Sequence, residues 1–542
     1  MRSGEPILKN QPTCKGFATV FLAYVMAAMP MAVFSQDLSG GGASSKLTIT
    51  PRVSLSETYT NNVFLASSGA RSELITQVSP GIRISSQGGR VSGSLDYSFN
   101  ELLYARGSSG PRSDNALSAL ATLEAVEKWA YVDFSGAIGR QSVSAFGAPA
   151  TDRALLNGNS TETSVFSVAP RVAGRLLGIA DYQARYSLTT SQSQSASVSD
   201  VLTRDFSGGL RGVGGRVGWT LDASHQVVDF SGGRSTTSQR FGGQLTYALD
   251  SRWGVYVKAS HESNSFASPV EQQGNFTALG VSWTPNEETK VKIDRDNRGS
   301  TGVTAGWFPS KRTSISFTRE RRLYGDTQSL ALAYRTPRTA WTFSDSRSVV
   351  SAPGQQSTST GSASLYDVLY GQFAAGESDP VKREQYDAFL QANGIKPLAT
   401  AIGGFLTSTV SLQHQQQLSF ALFGARTTLA VIATRGQNTA IGSAPSTIDD
   451  FAVSPVIRQN GITLNASYRL TDRSSLSLAA SRQKTTGSSS QTGTSSRSVN
   501  VKLSTQLSRD ASASVGARRV VFDASTAPYS ETAVLGNLTL QF

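Results

Sequence analysis

The chain closes on Val534-Leu535-Gly536-Asn537-Leu538-Thr539-Leu540-Gln541-Phe542. Val534, Gly536, Leu538, Leu540 and Phe542 share one parity, and Leu535, Asn537, Thr539 and Gln541 share the other. Alternate side chains of a β-strand point to opposite faces, so this period of two sets one row against an apolar medium and the other toward a polar interior. The rest of the chain repeats that alternation in short segments, and nothing after residue 33 approaches the roughly 20 apolar residues that a membrane helix needs.

A terminal aromatic on such a strand resembles the C-terminal signature of bacterial outer-membrane barrels, which makes Phe542 the candidate signal for the barrel assembly machinery. The other end agrees. Arg2, Lys9 and Lys15 form a basic leader to an apolar run over residues 16–33, and Val33-Phe34-Ser35 permits cleavage before Gln36. The rival reading is a retained helical anchor, for which the run is only marginally long. The expected division is a signal peptide over 1–35, a periplasmic linker over 36–45 and a barrel over 46–542. Cys14, the only cysteine, would leave with the signal, so the mature chain would hold no disulfide and no thiolate metal site.

All six tryptophans lie close to a short turn signal: Trp129, Trp219, Trp253, Trp283, Trp307 and Trp341. An indole has an apolar body and an N–H that seeks water, so an aromatic girdle at one membrane interface would gather them this way. Trp283-Thr284-Pro285-Asn286 and Trp307-Phe308-Pro309-Ser310 read as one hairpin used twice.

Short turns near 86–90, 126–128, 176–179, 214–216, 249–252, 285–288, 309–312, 335–338, 424–426, 470–473 and 507–510 alternate with mostly longer Ser/Gly/Asn-rich connections. That pattern predicts an all-β, transmembrane, antiparallel up-and-down barrel of about 24 strands, within a range of roughly 22 to 26. The short turns would face the periplasm. Residues 361–396 break the pattern: Leu365, Val368, Leu369 and Phe373 have helical spacing, and a second helical turn pattern runs from Asp379-Pro380 to Gly394. A helical insertion in one long loop is expected there, either folded over the barrel mouth or a bare surface decoration.

Parity also sorts charge. Leu47, Ile49, Val53, Leu55, Val78, Phe134, Val257, Val499 and Val501 fall on the lipid side, while Arg52, Arg83, Asp96, Arg171, Arg185, Lys258, Lys292, Asp294 and Lys502 fall on the other and are the candidate lumen-lining residues. A charge on the lipid face costs about 2–4 kcal/mol at the midplane, which gives the sorting a cause.

Four prolines sit in one short phrase: Thr50-Pro51-Arg52-Val53, Ser79-Pro80-Gly81-Ile82, Ala169-Pro170-Arg171-Val172 and Ser454-Pro455-Val456-Ile457. Each is expected to mark a bulge or a break in pairing, because proline lacks a ladder donor. The first phrase, continuing through Glu57-Thr58-Tyr59-Thr60-Asn61-Asn62-Val63-Phe64-Leu65, resembles the opening of the PEP-CTERM-system-associated outer-membrane β-barrel proteins of putative β-barrel porin type. The segment from Leu365-Tyr366-Asp367 to Asn393-Gly394, with Gln417-Leu418-Ser419 and Gly424-Ala425-Arg426, is similar to the same family. The resemblance spans nearly the whole mature chain. It implies an outer-membrane pore tied to exopolysaccharide export or assembly and to exosortase systems, and it brings no catalytic residues. A structural or surface-attachment barrel with a plugged lumen is the alternative, and an outer-membrane hydrolase stands third.

The formal charge of +12 becomes +10 without residues 1–35, which hold three basic residues and Glu5. The charges are dispersed, so the expected anionic partners are outer-membrane lipids, lipopolysaccharide or an exopolysaccharide rather than nucleic acid. The three histidines, His225, His261 and His414, have no spacing that compels a triad. Asp294-Arg295-Asp296-Asn297-Arg298-Gly299 lacks oxygen ligands at the later positions of a calcium loop and reads as a tight polar turn. The expectation is therefore no enzyme, no cofactor and no metal site.

Overall fold

The computed structural model describes residues 46–149, 152–195, 198–266, 272–350, 405–442, 449–488 and 493–542. The expected signal peptide, linker and helical insertion lie outside those residues. The alternating segments form β1 (Lys46–Thr60), β2 (Glu73–Gln87), β3 (Val91–Tyr104), β4 (Arg112–Val126), β5 (Ala130–Ser142), β6 (Ser160–Leu176), β7 (Ala180–Ser193) and β8 (Val201–Gly214). Then come β9 (Val217–Phe230), β10 (Ser235–Ala248), β11 (Trp253–Asn264), β12 (Gln272–Asn286), β13 (Thr289–Asp296), β14 (Thr301–Ser310), β15 (Thr313–Arg322) and β16 (Gly325–Arg335). The last third holds β17 (Thr339–Val350), β18 (Ser411–Phe423), β19 (Thr427–Ala440), the short helix α1 (Asp450–Val453), β20 (Val456–Arg469), β21 (Ser474–Thr486), β22 (Thr494–Gln506), β23 (Ala511–Ala524) and β24 (Tyr529–Gln541).

Each strand pairs antiparallel with its sequence neighbours, and β1 pairs with β24, so the 24 strands close into a barrel with no free edge. The closing seam sets Leu55 opposite Leu538 and Val53 opposite Leu540, and the Phe542 N–H donates to the Pro51 carbonyl at 3.0 Å. Phe542 itself stays 74% exposed at that rim.

The two faces identify themselves. On one, side chains of strands that are not neighbours meet: Arg52 on β1 reaches Asp96 on β3, and Lys258 on β11 reaches Glu320 on β15. A reach over three intervening strands, from β11 to β15, needs the concave side of a closed wall. The other face exposes Leu47, Ile49, Val257, Leu279, Val499 and Val501, the apolar band that an outer-membrane barrel turns to lipid. At the short-turn end of this outer face Trp253 lies against Trp283, tilted by 34° with centroids 6.0 Å apart, the Trp341 and Phe420 ring centroids are 4.4 Å apart, and the Trp129 indole N–H donates to the Tyr182 hydroxyl at 2.6 Å. Trp219 sits opposite Gly212, where a Cβ would come within 2.5 Å of the indole.

The paired Trp-x-Pro hairpins share one irregularity: the β12–β13 register shifts between Trp283 and Asn286, and the β14–β15 register shifts between Trp307 and Ser310. The prolines divide. Pro80 and Pro170 interrupt the ladder to β3 and β7 without changing its register, and Pro51 is paired along β2. Pro455 precedes β20 rather than lying in a strand, because Ser454 is the C-cap of α1 and the chain is still turning there.

Candidate functional site in the lumen and its mouth

Most candidate lumen residues with a partner are held by ion pairs. Asp96 is shared by Arg52 and by Arg83 at 2.7 Å. Register sets Arg171 directly opposite Arg185, a repulsive arrangement on bare strands, and Asp133 from the next strand bridges them at 3.1 and 2.8 Å. Lys258 joins a larger cluster: Glu320 also meets Arg240 at 3.2 Å and Arg322 at 2.9 Å, and Glu262 meets Arg240 at 3.4 Å and Arg322 at 2.5 Å. Asp294 accepts from the Tyr256 hydroxyl at 2.9 Å, and the Lys292 ammonium lies 5.7 Å from the centroid of the same ring. Lys502 is half-buried and has no ionic partner among the described residues.

Tyr256 on β11 reaches Asp294 on β13 across β12. Gly280 and Gly302 make that possible. A Cβ at Gly280 would run into the Tyr256 ring, and one at Gly302 would stand 2.5 Å from the Asp294 carboxylate.

The mouth at the long-connection end is built from chain that folds inward. Residues 405–410 run from Phe405, bridged to Ser142 at the end of β5, to β18, which stands nearly opposite β5 in the ring. All six are buried. On the way the Leu406 N–H donates to the Ser142 carbonyl at 3.1 Å, the Ser199 N–H donates to the Ser408 hydroxyl at 3.0 Å, and Arg234 donates to the Ser408 carbonyl. One carboxylate organises the segment: Asp449 accepts from the Thr407 hydroxyl at 2.8 Å, the Ser408 N–H at 2.9 Å and the Thr409 hydroxyl at 3.1 Å, while its other oxygen caps α1 through the Phe451 N–H at 3.0 Å. Asp450 then accepts from the Ser144 hydroxyl and the Ala145 N–H, both at 2.7 Å, which ties α1 to the β5–β6 connection. Burial lifts the Asp450 carboxyl above the usual aspartate range, and the adjacent Asp449 adds to the rise, so its ionisation is a cost of docking that falls away in acid.

The β5–β6 connection closes the other sector. Ala154 packs with Val63, Ile75, Leu102 and Tyr104, and Leu155 packs with Leu65, Val520, Phe522 and Tyr529. Burying a leucine such as Leu155 contributes about 1.5–3 kcal/mol. Asp152 is clamped by Arg518, whose guanidinium also meets Glu531 at 2.8 Å.

No protein-family model and no curated protein matches the chain. Among solved structures it is similar to the FrpB iron transporter from Neisseria meningitidis, in the F5-1 variant apoprotein form, at 10% identity over 91% of this chain and 81% of that one, TM-score 0.43. It is also similar to the siderophore receptor PirA from Pseudomonas aeruginosa, at 10% identity over 91% and 80%, TM-score 0.38, and to the ferric enterobactin receptor PfeA from the same organism, at 9% identity over 91% and 80%, TM-score 0.37. These likenesses concern overall architecture.

The histidines stand on the outer face. His261 Nδ1 contacts the Asn275 side chain at 2.7 Å. His414 Nε2 meets Asp345 at 3.2 Å, a pair hidden in sequence by its separation, and Gln328 and Gln416 donate to the same carboxylate. The Asp294 segment folds as a tight turn: Asp296 accepts from the Arg298 and Ser300 N–H groups at 3.0 and 2.7 Å, and Gly299 has φ of 77°. Among the described residues no group of three or more His, Cys, Asp or Glu side chains could hold a metal ion.

Sequence reading missed Asp449, Asp450, Asp152, Arg518, Glu262 and Glu320. One signal was available for the mouth. Phe405, Leu406 and Val410 are too apolar for an exposed connection.

Proposed function

We propose that this chain is an outer-membrane conduit held shut at its outer mouth by its own connections, and that it serves exopolysaccharide export in a PEP-CTERM/exosortase system. The observation that carries the conduit is residues 405–410, buried and bonded across the mouth of a closed wall with a charged inner face. A wide barrel would leak unless something spans it. The resemblance of the first strands and of Gln417-Leu418-Ser419 supports the exopolysaccharide assignment. The same crossing segment favours, as a second reading, an attachment barrel that never opens.

Asp449→Ala separates the two. It removes the acceptor of three hydrogen bonds to residues 407–409 and the cap of α1. Single-channel recording in planar bilayers should show a several-fold rise in conductance over the native chain. Asp96 and Asp133 each serve two arginines, so the open pore should prefer anions, read as a reversal potential in a salt gradient. A folded variant that stays silent rejects the conduit, and cation preference rejects the charge reading.

A further inference from the structure

Along β19–β23 the loop-side end of the outer face carries a run of cations with one carboxylate, Asp523, among the described residues, whereas other outer-face arginines such as Arg204 and Arg319 stand with Asp229 and Asp326. Arg435, Arg458, Arg482, Lys484, Arg497 and Arg519 are exposed and point outward at the loop-side ends of these strands, while the inner positions between them, such as Thr434, Gln459, Thr485 and Arg518, are buried. Directly beneath them on the same face lie Ile462, Leu476, Val499, Val501 and Leu503, all exposed apolar residues. The cations therefore form a band at one border of the lipid-facing belt, at the opposite end from the tryptophans.

Register sets Arg482 opposite Arg497 across β21 and β22. Like charges facing each other across a strand pair repel. In the lumen the same problem, Arg171 against Arg185, is solved by Asp133. Here Arg497 has only Asp523 at 3.8 Å, Arg458 bonds the Gln437 side-chain oxygen, and Arg519 bonds the Thr532 hydroxyl. Arg435, Arg482 and Lys484 have no partner among the described residues. No carboxylate among the described residues balances these three, and they stand at the depth of lipid headgroups.

We propose that this band binds the phosphorylated sugar head of the outer-leaflet glycolipid, the lipid A class. One phosphate sits between Arg482 and Arg497 with Lys484 beside it, and the acyl chains lie on Val499, Val501 and Leu476. Guanidinium pairs match phosphate oxygens bidentately. From β19 to β23 the band is about 19 Å wide at the usual strand spacing, enough for a disaccharide carrying a phosphate at each end. The inference rests on the wall being seated in an outer membrane with its long connections outward.

The test is retention of lipid by the full chain in detergent, read by native mass spectrometry with bisphosphorylated lipid A and with its enzymatically dephosphorylated form. The native chain should hold the bisphosphorylated lipid at least tenfold more tightly. The triple variant Arg482→Ser, Lys484→Ser, Arg497→Ser should lose that preference, while Lys128→Ser, Arg216→Ser, Arg252→Ser, with the same charge removed at the short-turn end, keeps it. Heat-modifiable gel mobility confirms that each variant is folded. Equal retention of both lipids by the native chain overturns the site without any variant, and so does undiminished preference in the folded first triple. A barrel that folds and inserts yet fails to discriminate the lipids sinks this inference alone; a chain that never inserts sinks the membrane reading beneath it.

Discussion

Arg518→Ala should destabilise the folded barrel by about 3–5 kcal/mol, the cost of leaving a buried charge without its partner. The Arg518 side chain is 8% exposed, and that of Glu531, which it holds through two nitrogens at 3.2 and 2.8 Å, is fully buried. Without the guanidinium, Glu531 keeps only the Thr60 hydroxyl at 2.9 Å. The same change frees Asp152, so the β5–β6 connection loses its ionic tie to β23 and keeps only the packing of Leu155. Two readouts follow. Urea unfolding in detergent micelles should shift by the stated amount, and brief trypsin treatment of the folded variant should cut after Arg153, which in the native chain is held by Asp114 at 3.2 Å. Arg518→Lys keeps the charge but cannot span both carboxylates, and should fall between the two. An alanine variant with native stability and an uncut loop would show that the clamp is incidental.

The wall was legible in the sequence because its rules are local. A period of two decides which side chains meet lipid, a turn of a few residues decides where the chain reverses, and both can be read without knowing what lies across the barrel. The strand number, the outer position of Leu47, Val257 and Val499, and the repeated Trp-x-Pro hairpin all follow from neighbours within a few positions. The mouth obeys no such rule. Arg518 and Asp152 are separated by 366 residues and Ser144 and Asp450 by 306, and no alternation of residue types brings either pair together. The lumen falls between the two cases: parity put Arg52, Arg83 and Asp96 on one face, yet their sharing of a single carboxylate depends on register across three strands, which parity does not supply.

That division bears on what evolution can change cheaply. Positions on the outer face tolerate one apolar residue for another, since lipid adapts to shape. Inner positions on β12 and β14 do not, because Tyr256 and Asp294 occupy the space that a Cβ at Gly280 or Gly302 would take. Specificity changes should therefore concentrate in the connections and in free lumen charges such as Lys502.

Val257→Arg tests the wall itself. Val257 is 43% exposed on the outer face of β11, flanked in register by Leu245 and Leu279, which are 51% and 71% exposed. It stands four residues beyond Trp253, so about 13 Å from the aromatic rim and close to the middle of the apolar belt. A guanidinium there has no carboxylate to meet and too far to reach for headgroups on either side, and the expected loss of folding free energy in lipid vesicles is about 2–4 kcal/mol. Lys258→Val, one residue on, faces the lumen. It removes one of three cations around Glu320, and Arg240 and Arg322 remain at 3.2 and 2.9 Å. Its cost should stay clearly below that of Val257→Arg even though it deletes an ion pair and the other deletes none. Equal losses from the two, measured by urea titration of the barrel in the same vesicles, would mean that β11 does not present Val257 to lipid and that the assignment of the two faces is wrong.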